Sequence, residues 1–134
     1  MAELNWIAII AGALAAFMLG WLWYGPLFGK AWLKERGIVP GEKPAMEGMG
    51  RILAINLLLT FIAAIVMAHV LATYGKPTID IAAMIGGGIG FGFVATSFGT
   101  AYAYTKQSLT LWLIDGGYWT IAFTLMAVVE SLLG

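Results

Sequence analysis

IAAMIGGGIGFGFVATSFGTAYAYT, residues 81–105, runs for 25 positions without one charged side chain. Wound as a helix it is long enough to cross a bilayer, whose apolar core of about 30 Å needs roughly 20 residues. Residues 4–28, 52–75 and 109–133 read the same way. The chain is therefore almost nothing but membrane spans, placed at about 5–25, 51–74, 79–105 and 109–132. The expected architecture is a single integral membrane domain, an all-α four-transmembrane-helix bundle, with residues 26–50 as its one sizeable loop.

Composition agrees. Hydrophobic residues make up 61% of the 134 positions and charged residues 10%, against roughly 25% charged in soluble domains. So short a soluble chain could not hide that much apolar surface. The net charge of zero gives no bulk attraction to nucleic acid. The absence of cysteine removes disulfides and thiolate chemistry, and the single histidine, His69, cannot build a multi-imidazole metal site within one subunit. No metal or cofactor is expected.

A cleaved signal peptide needs a basic start and a short apolar core. Here the start is Met1-Ala2-Glu3, and the stretch closes in Trp21-Leu22-Trp23-Tyr24, aromatic residues suited to a membrane interface. The first span is read as retained. Lys30, Lys34, Arg36, Lys43 and Arg51 lie between spans one and two, and Lys106 follows span three, whereas the other side has only Lys76. The positive-inside rule puts the basic segments in the cytoplasm and both termini outside.

In the cytoplasmic loop, Gly25-Pro26 is expected to end the first helix, since proline lacks an amide hydrogen and restricts its predecessor. Residues 27–36 then form a short amphipathic interfacial helix, stopped at Gly37, with Trp23, Tyr24, Pro26, Lys30 and Trp32 as its anchor. Pro40-Gly41-Glu42-Lys43-Pro44 reads as irregular loop. Thr78 and Ser108 are the expected N-caps of spans three and four, and Asp80 is well placed against a helix dipole. The short connections make neighbouring helices antiparallel.

Apolar burial does not drive helices together in lipid, so small residues matter. Ala8, Gly12, Ala16 and Gly20 make one flat face of span one. In span three Gly86 and Gly90 form one small-residue pair and Gly88 and Gly92 another, which places span three at the bundle centre or at a subunit interface. The G-x-G patterns there lack the strand, helix and acidic residue of a nucleotide site. Gly88, Gly92, Thr96 and Thr100 continue as a stripe, matched in span four by Gly116, Thr120 and Thr124. Packed together, these faces would give interhelical hydrogen bonds or the wall of a narrow polar cavity.

Intramembrane carboxylates are costly and functional by default. Asp115 sits about two turns inside span four, and Asn56, Thr100 and Tyr24 reach a similar level, so one polar layer is expected, with Arg51 or Lys106 snorkelling in to pair with the acid. The layer is either a protonatable or cation-binding site or a hydrogen-bonded lock between helices. Glu130 and His69 share the opposite half, with Asn5 at comparable depth, and a His69–Glu130 pair is one reading. The other is an interfacial acid and a separately satisfied histidine. Asp115, Asn56, Thr96, Thr100, Tyr118, His69 and Glu130 are the candidate ligand-binding residues.

The start Leu4-Asn5-Trp6, the segment Gly20-Trp21-Leu22-Trp23-Tyr24-Gly25-Pro26-Leu27-Phe28-Gly29-Lys30-Ala31-Trp32 and Leu113-Ile114-Asp115-Gly116-Gly117-Tyr118 together resemble an uncharacterised bacterial family of small four-span membrane proteins, the domain of unknown function 1761 type. The resemblance covers nearly the whole chain. It implies fold and a place in the bacterial inner (cytoplasmic) membrane, and it marks Asn5, Trp23, Tyr24, Pro26, Lys30, Asp115 and Tyr118 as motif positions; no activity comes with it. Three function classes follow. The first is a channel- or transporter-like homo-oligomer, a dimer or larger, handling a proton, cation or small polar solute. The second is a non-transporting structural or accessory protein whose glycine faces receive partner helices. An intramembrane enzyme is the third and weakest, because Asp115 and Glu130 lie about 22 Å apart along one helix, too far for joint acid–base work.

Overall fold

The computed structural model describes residues 4–37 and 48–134. The readings of residues 1–3 and 40–44 lie outside them. Helix α1 spans Trp6–Leu22 and runs on through a π-helical turn, Trp23–Leu27; α2 is the short helix Gly29–Glu35 and α3 spans Met49–Thr73. The third span is built of α4 (Ile79–Ile89), a π-helical segment (Gly90–Ala95) and α5 (Thr96–Tyr104), and α6 covers Leu109–Leu133. Four helices are long and apolar enough to cross a membrane: Trp6–Leu27, Met49–Thr73, Ile79–Tyr104 and Leu109–Leu133. This is the expected four-span, all-helical bundle with one short extra helix after the first span.

The helix ends follow ordinary capping chemistry. The Asn5 side chain accepts from the Ala8 amide at 3.1 Å, and Ser108 Oγ accepts from the Leu111 amide at 3.1 Å, so Ser108 caps the fourth span. Thr78 stands at the N-cap of α4, but its hydroxyl donates to the Asp80 carboxylate rather than accepting from the backbone. Gly37 ends the stretch after α2 with φ +75°, a left-handed conformation that glycine takes at no steric cost.

Three expectations are corrected. First, Gly25-Pro26 does not end the first helix. The turn widens instead, with the Phe28 amide donating to the Trp23 carbonyl at 2.8 Å, five residues back. A π turn of this kind accommodates Pro26, which has no amide to contribute. The break comes at Phe28, and α2 starts at Gly29, where an added Cβ would lie 2.5 Å from the Tyr24 carbonyl oxygen. Glycine is thus required at that close approach.

Second, of the two places expected for span three, the bundle centre is taken by the fourth span. Helix α6 touches α1, α2, α3, α4, α5 and the π segment between the last two. The glycines belong to the helices that dock on it: Gly12 of α1 lies against Glu130, Gly20 against the Tyr118 ring, Gly86 against the Phe123 carbonyl, and Gly90 within 2.7 Å (as an added Cβ) of Thr120 Cα. Small residues let a helix approach a hub; the hub itself carries the large side chains that fill the space. Gly88 and Gly92 meet nothing within 4 Å, so one of the two glycine pairs of span three packs and the other is open.

Third, the Gly88-Gly92-Thr96-Thr100 stripe does not face span four. Thr96 and Thr100 are exposed, and their hydroxyls donate to the carbonyls of Gly92 (2.8 Å) and Thr96 (3.2 Å) of their own helix. Thr120 and Thr124 do the same within α6, at 2.8 and 2.7 Å. Local back-bonding satisfies these hydroxyls without a partner helix. The core runs through Ile9, Ala13 and Ala16 of α1, Ala64, Met67 and Leu71 of α3, Ala82 of α4, and Tyr118, Ala122, Phe123, Met126 and Ala127 of α6. Residues 51–59 of α3 are all exposed, so the first half of that span stands clear of the other helices.

Candidate functional site

Both intramembrane carboxyls project from α6 into the bundle. Asp115 is 6% exposed and Glu130 4% exposed. At the Asp115 end, three donors converge on one carboxylate. Tyr24 Oη donates to Oδ1 at 2.6 Å, Trp32 Nε1 donates to Oδ1 at 3.1 Å, and Tyr102 Oη donates to Oδ2. These come from the π turn after α1, from α2 and from α5, so a single side chain ties three separate elements to α6. The π turn and the break at Phe28 are what bring both Tyr24 and Trp32 to the same oxygen.

The neighbours of this cluster reinforce it. Trp23 Nε1 donates to the Ile114 carbonyl at 2.9 Å, and the Tyr24 ring stands edge-on to Trp32 (5.8 Å between centroids) and to Tyr118 (5.3 Å). Arg36 caps the outside of Trp32, its guanidinium 5.1 Å from the ring centre, a cation–π contact. Ser108 Oγ donates to Glu35 Oε2 at 2.6 Å, pinning α2 to the turn before α6. Charge-assisted hydrogen bonds are among the strongest a side chain makes. Three of them on one buried carboxylate use most of its accepting capacity and make a joint between helices.

The expected polar layer is therefore half right in its members. Tyr24 is there. Asn56 is not: it lies on the exposed half of α3 and accepts from Thr60 Oγ1 of its own helix at 3.1 Å. Thr100 is not either, because it faces away on α5. Hydroxyl and indole donors occupy the carboxylate in place of Arg51 or Lys106. Tyr118 is buried in the core and donates to the Ala16 carbonyl at 2.9 Å, a contact between α6 and α1 rather than a ligand position. Two donors were missed. Trp32 looked like an interfacial anchor, and Tyr102 was passed over. A tyrosine within one turn of a span's end, long enough to reach inward, was the available signal.

The Glu130 end is built differently. Neither carboxyl oxygen has a hydrogen-bond partner among the described residues. His69 is exposed and its Nδ1 donates to the Ile65 carbonyl at 3.0 Å, so the His69–Glu130 pair is not formed. An exposed histidine at the end of a helix finds its own backbone sooner than a side chain buried across the bundle. Glu130 lies instead against Gly12, where an added Cβ would sit 2.9 Å from its Cγ and 3.0 Å from its Oε1. Beside it opens a cavity of about 210 Å³ lined by Asn5, Ala8, Leu71, Ala72, Pro77 and Ser131 among others. Asn5 Nδ2 donates to the Leu133 carbonyl at 2.8 Å and Ser131 Oγ to the Pro77 carbonyl at 2.9 Å, so both side chains are engaged in closing the helix ends. A buried carboxyl left without donors calls for a proton or a cation.

Residues 7–130 match the model of a family described as "Protein of unknown function (DUF1761)". No curated protein and no solved structure matches the chain.

Proposed function

The chain belongs to that family of unknown function, and from this premise we propose that it is a multi-pass membrane protein that takes up a proton or a small cationic solute at Glu130, with Asp115 as its structural lock. The observation that carries the reading is the contrast in partners: Asp115 accepts from three donors, while Glu130, equally buried, has none among the described residues and borders a cavity. The sequence offered Asp115 as a site or as a lock. Three hydrogen bonds from three elements favour the lock and move the solute chemistry to the other end of α6. The reading is non-enzymatic.

In this proposal the basic segments face the cytoplasm of a bacterial inner membrane, which turns the Glu130 cavity outward. The functional unit is a homo-oligomer of transporter-like or channel-like kind, since one four-span subunit leaves little room for a private pathway. Support for association comes from the first half of α3, which exposes Ile52, Leu58 and Leu59 together with the amide of Asn56. A carboxamide on a lipid-facing helix is better satisfied by another helix. The same feature supports the rival reading, a non-transporting accessory protein that receives a partner helix there.

Proton and alkali-cation flux into liposomes containing purified protein separates these readings, with wild type beside Glu130→Gln and Asp115→Asn and the oligomeric state measured in each. Flux that falls about tenfold or more in an intact Glu130→Gln oligomer supports the proposal. Absence of both flux and Glu130-dependent cation binding in the wild type would leave the accessory reading.

A further inference from the structure

Resting on the reading that Glu130 takes a proton or a cation, we propose that the cavity beside it is a binding site for a primary alkylammonium, with the Glu130 carboxylate, whose oxygens lie enclosed against Gly12 in this structure, turning into the cavity to meet the charged group and the hydrocarbon part lying along the apolar wall. The cavity of about 210 Å³ is far larger than a bare metal ion needs, given that one water occupies about 30 Å³ in the liquid. It is also poor in the oxygen ligands that hard cations demand, six to eight for calcium and about six for magnesium. Glu130 supplies its carboxylate; Asn5 Oδ1 is spent on the Ala8 amide, and Ser131 Oγ donates to Pro77. No cluster of three or more His, Cys, Asp or Glu side chains exists among the described residues.

The wall selects among organic cations. Ala8, Leu71, Ala72 and Pro77 provide hydrocarbon surface, and no aromatic ring lines the cavity. Quaternary ammonium groups are recognised through the faces of aromatic rings, so they gain little here. A primary ammonium brings three N–H donors, which is what two carboxylate oxygens without partners among the described residues lack. Its alkyl chain then covers the apolar wall. Gly12 is part of the design, because its missing Cβ is the space in which the Glu130 side chain lies.

Calorimetric titration of the full chain in zwitterionic-lipid nanodiscs tests this, with empty nanodiscs as the blank and ethyl-, butyl- and hexylammonium, hexan-1-ol and tetraethylammonium as probes. Affinity is expected to rise about fourfold per methylene along the primary amines, with no saturable binding of the alcohol or the quaternary ion. Glu130→Gln should weaken hexylammonium by about 10–100-fold. Ala72→Leu, which leaves the acid and fills the wall, should flatten the chain-length dependence. Equal binding of tetraethylammonium, or unchanged binding in both variants, overturns the proposal. Lys76, at the edge of the cavity, carries an alkylammonium of its own. Probe binding that appears only in Lys76→Gln would make that side chain the occupant and would also overturn it. Should sodium or protons bind in a Glu130-dependent way while no amine does, this inference falls and the broader reading stands.

Discussion

Asp115 and Glu130 stand on one helix, about 22 Å apart, and are buried to nearly the same degree. What surrounds them differs completely. Around Asp115 the neighbouring elements present long side chains with a donor at the tip, Tyr24, Trp32 and Tyr102. Around Glu130 they present Gly12, Ala8 and Leu71, which have no donor to give, while Asn5 and Ser131 spend theirs on backbone carbonyls and Lys76 stands at the cavity's edge. Burial alone, then, does not distinguish a structural acid from a site; the inventory of partners does. An acid that several elements reach for holds them together, whereas one enclosed by small and apolar residues keeps its capacity for something from outside.

The largest effect should come from removing the Asp115 carboxylate, with Glu130 as its control. Asp115→Ala strands two tyrosine hydroxyls and an indole N–H, all part-buried, where a donor left unsatisfied in a fully buried place would cost about 1–3 kcal/mol each. A loss above about 3 kcal/mol is expected, read as unfolding of detergent-solubilised protein, together with release of α2 seen as a change in tryptophan emission that a Trp32→Phe background lacks. Glu130→Gln breaks no hydrogen bond and should leave stability unchanged or raise it. If Glu130→Gln were as damaging as Asp115→Ala, the two ends would be alike and the comparison would fail.

Two glycines sharpen the contrast at an intermediate scale. At Gly29 an added Cβ meets the Tyr24 backbone oxygen, which cannot move without dislodging the π turn. At Gly12 it meets the Glu130 side chain, Cγ at 2.9 Å and Oε1 at 3.0 Å, which can turn about its own torsions toward the cavity. Gly29→Ala should therefore cost about 1–3 kcal/mol, in the range of overpacking. Gly12→Ala should be close to neutral, since the helical gain of about 1 kcal/mol for alanine over glycine offsets a small adjustment. Thermal unfolding of both variants decides; equal losses would mean that Glu130 is as rigidly held as the Asp115 end.

How far these features could be read from the sequence has a physical pattern. The spans were legible because 25 uncharged residues in a row have few folded solutions. The cap at Ser108 and the stop at Gly37 were legible because they depend on local backbone needs. Which glycine pair of span three would pack was not legible: Gly86 with Gly90 and Gly88 with Gly92 have the same spacing and differ only by rotation about the helix axis. The stripe through Thr96 and Thr100 misled for the same reason. It continues the Gly88–Gly92 face, and that whole face is turned away from span four. Of the candidate site, the two acids stood out, since a carboxyl in a span is costly. Apart from Tyr24, the donors to Asp115 did not, because Trp32 and Tyr102 reach it only through a proline-containing π turn and a rotation that the pattern does not encode.

The smallest test bears on whether the indole belongs to the lock at all. Trp32→Phe keeps a smaller ring against Tyr24 and under Arg36 and removes the N–H that lies 3.1 Å from Asp115 Oδ1. A hydrogen bond to a charged group is worth about 1.5–3 kcal/mol, and the Tyr24 hydroxyl sharing that oxygen compensates in part, so the loss should fall near the lower end. Direct partners do not add: in a double-mutant cycle with Asp115→Asn, the double variant should lose less than the two singles together, by about 0.5 kcal/mol or more. Strict additivity would mean that Trp32 is held by Arg36 and Tyr24 alone. The lock would then be tyrosine-only, and the π turn would owe its shape to Tyr24 rather than to the docking of α2.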